Sequence, residues 1–188
     1  YSHKTAQQDA IRAVRYLRYH AKELNTLPDK IGMMGFSGGA MLTGWCATKF
    51  DQGNPEAADP VERCSSRPDA AVLCYGAGSW LPVSKGLLGY DRARFAKFAE
   101  DAIERNVTPA CPPFFIWQCA GMDDPRNATQ LTDVLTACGV PFELHIFPYG
   151  AHGTALSNEM HPSESANDPH VARWVDLCCE WLRRYQHF

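Results

Sequence analysis

The sequence predicts an α/β fold: a parallel sheet with helices on both faces. Three observations predict it. Stretches with helical periodicity alternate with short apolar runs along the whole chain. The run at 70–75 is continuous rather than alternating, and that at 114–119 is nearly so, as expected of strands buried on both sides in a parallel sheet. Between the first apolar run and the helix after it lies Gly35-Phe36-Ser37-Gly38-Gly39, a tight strand-to-helix turn. With 188 residues, 45% hydrophobic content and a net charge of -3, residues 1–188 suit a single domain with a substantial core.

The elements follow in order. Residues 5–24 read as an amphipathic helix whose stripe is Ala10, Val14, Leu17, Ala21 and Leu24. Arg12, Arg15, Arg18 and Lys22 fall off that stripe and are expected on a solvated face. Asn25, Pro28 and Asp29 break the chain before a strand at 31–36, and a helix is expected from Ala40 to Lys49. Residues 51–68, rich in Pro, Asp, Asn and Ala, read as a long surface loop. Residues 70–75 form the second strand. An insertion around 76–109 contains Trp80, Tyr90 and a helical stretch at 92–105, and is expected to shape a pocket. Pro112 and Pro113 introduce a third strand at 114–119, and Gly139 stops a helix over 127–138. A fourth strand at 142–147, a loop over 148–169 and a closing helix complete the series. Consecutive parallel strands then require right-handed helical crossovers.

Composition narrows the function. Slight acidity without a basic cluster argues against nucleic acid as the main ligand. No apolar run reaches the length of a membrane span, and no signal peptide is recognisable at the start. The eight cysteines have no zinc-site spacing, and several lie within apolar strand or helix sequence. They read as small buried hydrophobes in a reducing compartment, which gives a cytoplasmic expectation.

The chemistry centres on the serine. Gly-x-Ser-x-Gly between a strand and a helix lifts the Ser37 hydroxyl clear of the sheet, and glycine at 35 and 39 is expected to remove colliding side chains. The Gly38 N–H then sits at a helix start, where it can stabilise an oxyanion. Serine is too weak an acid to attack unaided, so a base and an orienting carboxylate are needed. In parallel sheets functional groups gather beyond the carboxyl ends of the strands. The third strand runs into Asp123-Asp124-Pro125 and the fourth into Gly150-Ala151-His152-Gly153. His152 follows a strand and sits among small residues, so it is the expected base. His145 reads as a packed strand residue, His161 and His170 as solvated loop residues. Asp123 and Asp124 compete for the carboxylate position, and Asp124, three residues after Gly121, is preferred. The unselected aspartate is expected to cap or turn into the following helix.

The segments 9–40, 59–69, Pro112-Pro113-Phe114, Asp123-Asp124-Pro125 and 143–153 together resemble α/β-hydrolases of the acetylxylan-esterase and hormone-sensitive-lipase-like kind. The resemblance covers nearly the whole chain. It implies the C-terminal portion of that fold and serine-dependent hydrolysis of small carboxylic esters, with acetyl groups on xylose or xylo-oligosaccharides as leading substrates. By that match Ser37 is the nucleophile, His152 the base and Asp124 the acid, and no metal or organic cofactor is implied. A small acylated sugar is the expected partner, with no membrane and no nucleic acid, in a homo-oligomer. Members of this kind carry further strands before the first helix and a His-Gly-rich loop with a second oxyanion donor, so another chain or segment is expected to supply them. Two other readings compete: a prolyl-oligopeptidase-type peptidase, with Trp80 or Trp117 lining a proline pocket, and a non-catalytic hydrolase-like binding module.

Overall fold

The computed structural model describes residues 3–78, 100–121, 123–161, 163 and 166–188. Four strands, β1 (Gly32–Phe36), β2 (Ala70–Cys74), β3 (Phe114–Cys119) and β4 (Phe142–Phe147), form one sheet in the order β1-β2-β3-β4. Every pairing is parallel, with Gly35 opposite Leu73, Leu73 opposite Ile116 and Ile116 opposite Leu144. Among the described residues the helices are α1 (His3–Tyr19), α2 (Gly38–Thr48), α3 (Arg126–Ala137), the short α4 (Pro169–Ala172) and α5 (Trp174–Tyr185). The strands at 114–119 and 142–147 have the expected bounds. The bulk of the expected insertion, with Trp80 and Tyr90, lies outside the described residues. Its described end forms a single 3-10 turn, Ile103–Arg105, with Ile103 buried in the core.

The two inner strands carry the fold. Every residue of β2 and β3 is buried, which explains their uninterrupted apolar sequence. Alternate side chains then supply two separate cores. On one face Ala71, Leu73, Phe114 and Ile116 meet Ala40 and Ala47 of α2 and Leu131 and Leu135 of α3. On the other, Val72, Phe115 and Trp117 meet Trp174, Cys178 and Trp181 of α5. Burying a side chain of this size contributes about 1.5–3 kcal/mol, so these cores dominate stability. Cys46, Cys74, Cys111, Cys119 and Cys178 are buried free thiols; Cys64, Cys138 and Cys179 are half-buried and also unpaired. Burial pushes the Cys46, Cys74 and Cys178 thiols up to about 12, which keeps them protonated and inert.

Helix α1 departs from its expected packing. Val14 and Ala21 are buried, but Leu17 and Leu24 are exposed, and the helix ends at Tyr19. The arginines expected in solvent face the protein instead, with the side chains of Arg15 and Arg18 only 11% and 14% exposed. The reason is the surface that α1 covers. It packs on α2 and on the loop that links α2 to β2, and that loop offers its arginines carbonyls and carboxylates. Arg18 donates to the carbonyls of Pro28, Ser65 and Arg67 and, at 2.7 Å, to Asp69. Arg15 reaches the Cys64 carbonyl, Glu62 and Asp51, and Arg12 pairs with Asp59 and Glu62. Asp69 also accepts from the Ile31 amide at 2.9 Å, so the Arg18 network reaches the start of β1.

Two outcomes follow from this clamp. Arg18→Lys removes the planar fork that satisfies four acceptors and should cost about 1–3 kcal/mol in urea unfolding. Lys22→Ala, at an exposed position just beyond the end of α1, should stay within about 0.5 kcal/mol. The carboxyl of Asp59 is held below its usual range, first by the Val61 amide and then by Arg12. A lowered folded-state value favours folding above the ordinary carboxylate pKa and loses that contribution as pH falls below it. Wild-type protein should therefore lose more stability than Asp59→Asn when pH is lowered through the carboxylate range, as read from unfolding midpoints.

Candidate active site

The site lies beyond the carboxyl ends of β1, β2, β3 and β4. Ser37 follows β1 directly and has φ 52° and ψ -120°, a left-handed conformation that non-glycine residues rarely adopt. Backbone packing enforces it. The Ser37 amide donates to the Cys74 carbonyl at 2.9 Å, and its own carbonyl accepts from the Ala40 amide at 3.0 Å. A Cβ at Gly35 would lie 2.0 Å from the Gly39 carbonyl oxygen, and one at Gly76 would lie 2.3 Å from that of Ser37. Space is therefore required at Gly35, as expected, and also at Gly76. It is not required at Gly39, where a Cβ would meet nothing within 4 Å.

The turn presents the Ser37 Oγ to His152, whose Nε2 is 2.8 Å away. His152 Nδ1 in turn lies 2.8 Å from Asp123 Oδ1. The pairing of the carboxylate corrects the expectation for Asp124: the aspartate facing the histidine is Asp123. Asp123 is buried, with its side chain 7% exposed, and its amide donates to the Cys119 carbonyl at 3.0 Å. Asp124 turns away. Its carboxylate, just ahead of α3, accepts from the Arg126 amide and side chain and is pulled below its usual range chiefly by that guanidinium. Buried Gln118, at the end of β3, donates to the Asp124 carbonyl at 3.0 Å. Gln118 and Arg126 thus fix which of two adjacent aspartates points inward.

His152 rides on the connection after β4. Gly150 and Gly153, at φ 123° and 85°, permit the tight turn around it. His161 was expected in solvent, yet its Nε2 lies 3.2 Å from the Gly153 carbonyl and the residue is half-buried against this loop. His145 packs in its strand against Phe115 and pairs with Glu143, as a structural residue. Trp117 is fully buried and stacked on Trp174, with ring centroids 4.9 Å apart, so it cannot line a pocket for proline.

The Gly38 amide heads α2 and has no intrahelical acceptor. A negative charge growing beside Ser37 would meet that donor and the positive end of the helix. Among the described residues no group of three or more His, Cys, Asp or Glu is disposed to hold a metal ion. The geometry can therefore deprotonate a serine hydroxyl, steady the imidazolium that results, and hold an anion at a helix start. Tyr75 and Gln118 are the supporting residues that sequence reasoning missed. Only the strand-end position of each carried any signal.

Known proteins share this arrangement of chain. The BD-FAE family model matches residues 3–136. The crystal structure of an acetyl ester-xyloside bifunctional hydrolase from Caldicellulosiruptor lactoaceticus superposes with a TM-score of 0.82 at 36% identity, covering 97% of this chain and 66% of that one. A sugar hydrolase from Lactococcus lactis gives a TM-score of 0.75 at 27% identity, covering 98% and 71%. Endo-1,4-beta-xylanase B of Butyrivibrio fibrisolvens is 32% identical over 167 residues, which is 84% of this chain and 26% of the xylanase. The chain thus spans less than two thirds of the hydrolase and about a quarter of the xylanase it resembles. With the parallel sheet, the strand-to-helix serine turn and the family match in hand, the chain belongs to the BD-FAE family, carbohydrate esterases with the α/β-hydrolase fold.

Proposed function

We propose that this chain carries the nucleophile, base and acid of a serine esterase that removes acetyl groups from xylose or xylo-oligosaccharides. One observation carries the reading: the continuous hydrogen-bonded line from Ser37 through His152 to Asp123, with both links at 2.8 Å. The relative from Caldicellulosiruptor lactoaceticus, an acetyl ester-xyloside bifunctional hydrolase, supports the substrate class.

The reaction follows from the geometry. His152 Nε2 takes the Ser37 proton as Oγ attacks the ester carbonyl carbon. Asp123 holds the Nδ1–H and stabilises the imidazolium. The tetrahedral oxyanion is held in part by the Gly38 N–H. His152 then protonates the leaving sugar oxygen, and acetyl-Ser37 remains. Water, deprotonated by His152, attacks the acyl carbon and releases acetate, with the proton returning to Ser37.

The test uses the full-length protein. Ser37→Ala should lower hydrolysis of acetylated xylo-oligosaccharides by roughly 10⁴-fold or more, and a fluorophosphonate probe should label wild-type Ser37 alone. A folded wild type that neither labels nor turns over acetyl esters would favour a binding module instead. Preferential turnover of a proline anilide would favour a peptidase. The two aspartates should separate cleanly. Asp123→Asn should reduce kcat by about 10³–10⁴-fold, because the amide cannot hold the imidazole in the required tautomer. Asp124→Asn, whose side chain faces Arg126 rather than His152, should change kcat only a few-fold.

A further inference from the structure

Tyr75, the first residue after β2, touches both halves of the site without belonging to the Ser-His-Asp line. It has φ 40°, a left-handed conformation that an aromatic side chain adopts only when its surroundings require it. Its amide donates to the Trp117 carbonyl at 2.7 Å. Its ring stands edge-on to the His152 ring, centroids 5.1 Å apart at 72°, and packs against Phe36 and Trp117. Gly76, the next residue, lies directly under the Ser37 carbonyl.

The Tyr75 hydroxyl accepts from the Ala155 amide at 3.3 Å, and the Trp174 Nε1–H donates to the Ala155 carbonyl at 3.0 Å. One side of this peptide residue is therefore tied to β2 and the other to α5. Ala155 is itself left-handed at φ 49° and lies three residues beyond His152. Two non-glycine residues in an unfavourable backbone region bond to one another, and the segment between them carries the base. A merely space-filling aromatic at this place would need neither the hydroxyl nor the left-handed turn.

We infer that Tyr75 is a positioning residue: with Trp174 it clamps the Ala155 peptide and so holds the His152 loop at the distance from Ser37 that proton transfer needs. This rests on the reading of His152 as the base. A base displaced by a fraction of an ångström loses rate without losing substrate binding, because only the reacting geometry is changed. The clamp therefore acts on kcat rather than on KM.

Tyr75→Phe keeps the ring and deletes the acceptor, so it preserves the packing against His152 and Trp117. In the full-length protein, kcat for an acetyl ester should fall roughly tenfold to a hundredfold, with KM within about twofold. Trp174→Phe, which keeps an aromatic ring and deletes the Nε1 donor, should show the same split. Tyr185→Phe, at a tyrosine exposed to solvent, should match wild type. The low-field NMR resonance of the His152 Nδ1 proton reads the same geometry without turnover. It should broaden or shift in Tyr75→Phe and stay unchanged in Tyr185→Phe. Wild-type kcat in Tyr75→Phe, or a loss confined to KM, would overturn the clamp. If wild-type protein shows no Ser37-dependent turnover, the esterase reading fails separately. The clamp is then decided by the His152 resonance, and an unchanged resonance in Tyr75→Phe overturns it.

Discussion

Bare backbone in contact with bare backbone, around Ser37, is the constraint on which the rest of the structure depends. Gly35 lets β1 run under the first turn of α2, and Gly76 lets the end of β2 slide beneath the Ser37 carbonyl. No side chain fits at either point. Holding Ser37 in a left-handed conformation costs about 1–3 kcal/mol, and the sheet-to-helix packing on both sides of β2 offsets it. That packing is why β2 and β3 must be buried from end to end. The strained serine is thus a property of the whole sheet rather than of a five-residue motif.

The parts of the fold set by short-range chemistry were legible in the sequence. Pro112-Pro113 and Pro148 bracket apolar runs, so the bounds of β3 and β4 could be read directly. The choice between Asp123 and Asp124 could not. Adjacent residues of one type differ only in side-chain direction, and that direction is set by Gln118 from β3 and by Arg126. The environment of α1 was hidden for a related reason. Hydrophobic periodicity assumes an apolar neighbour, but this helix leans on a polar loop, and the residues that matter most there are Arg15 and Arg18. Tyr75 is an ordinary aromatic at a strand end until the fold brings Ala155 to its hydroxyl.

Two kinds of cohesion divide the molecule. The faces of the sheet are joined to α2, α3 and α5 by apolar side chains, without direction. The first helix and the aspartate turn are joined by guanidinium and amide donors aimed at particular oxygens. The first kind tolerates exchange of shape at fixed volume. The second does not tolerate even the exchange of arginine for lysine, because the geometry of the fork is the interaction.

The segment that bears His152 belongs to the second kind, and this has a thermal consequence. Tyr149, Leu156 and Met160 are exposed along it, while the hydrogen bonds of Ala155 to Tyr75 and Trp174 tie it to the sheet and to α5. Detaching such a loop exposes little apolar surface, so its opening has a small heat capacity and a low free energy beside that of the sheet. On warming, the imidazole should therefore leave the serine while the strands are still paired. The proposed chemistry would then be lost as a local event, below the temperature at which the sheet unfolds.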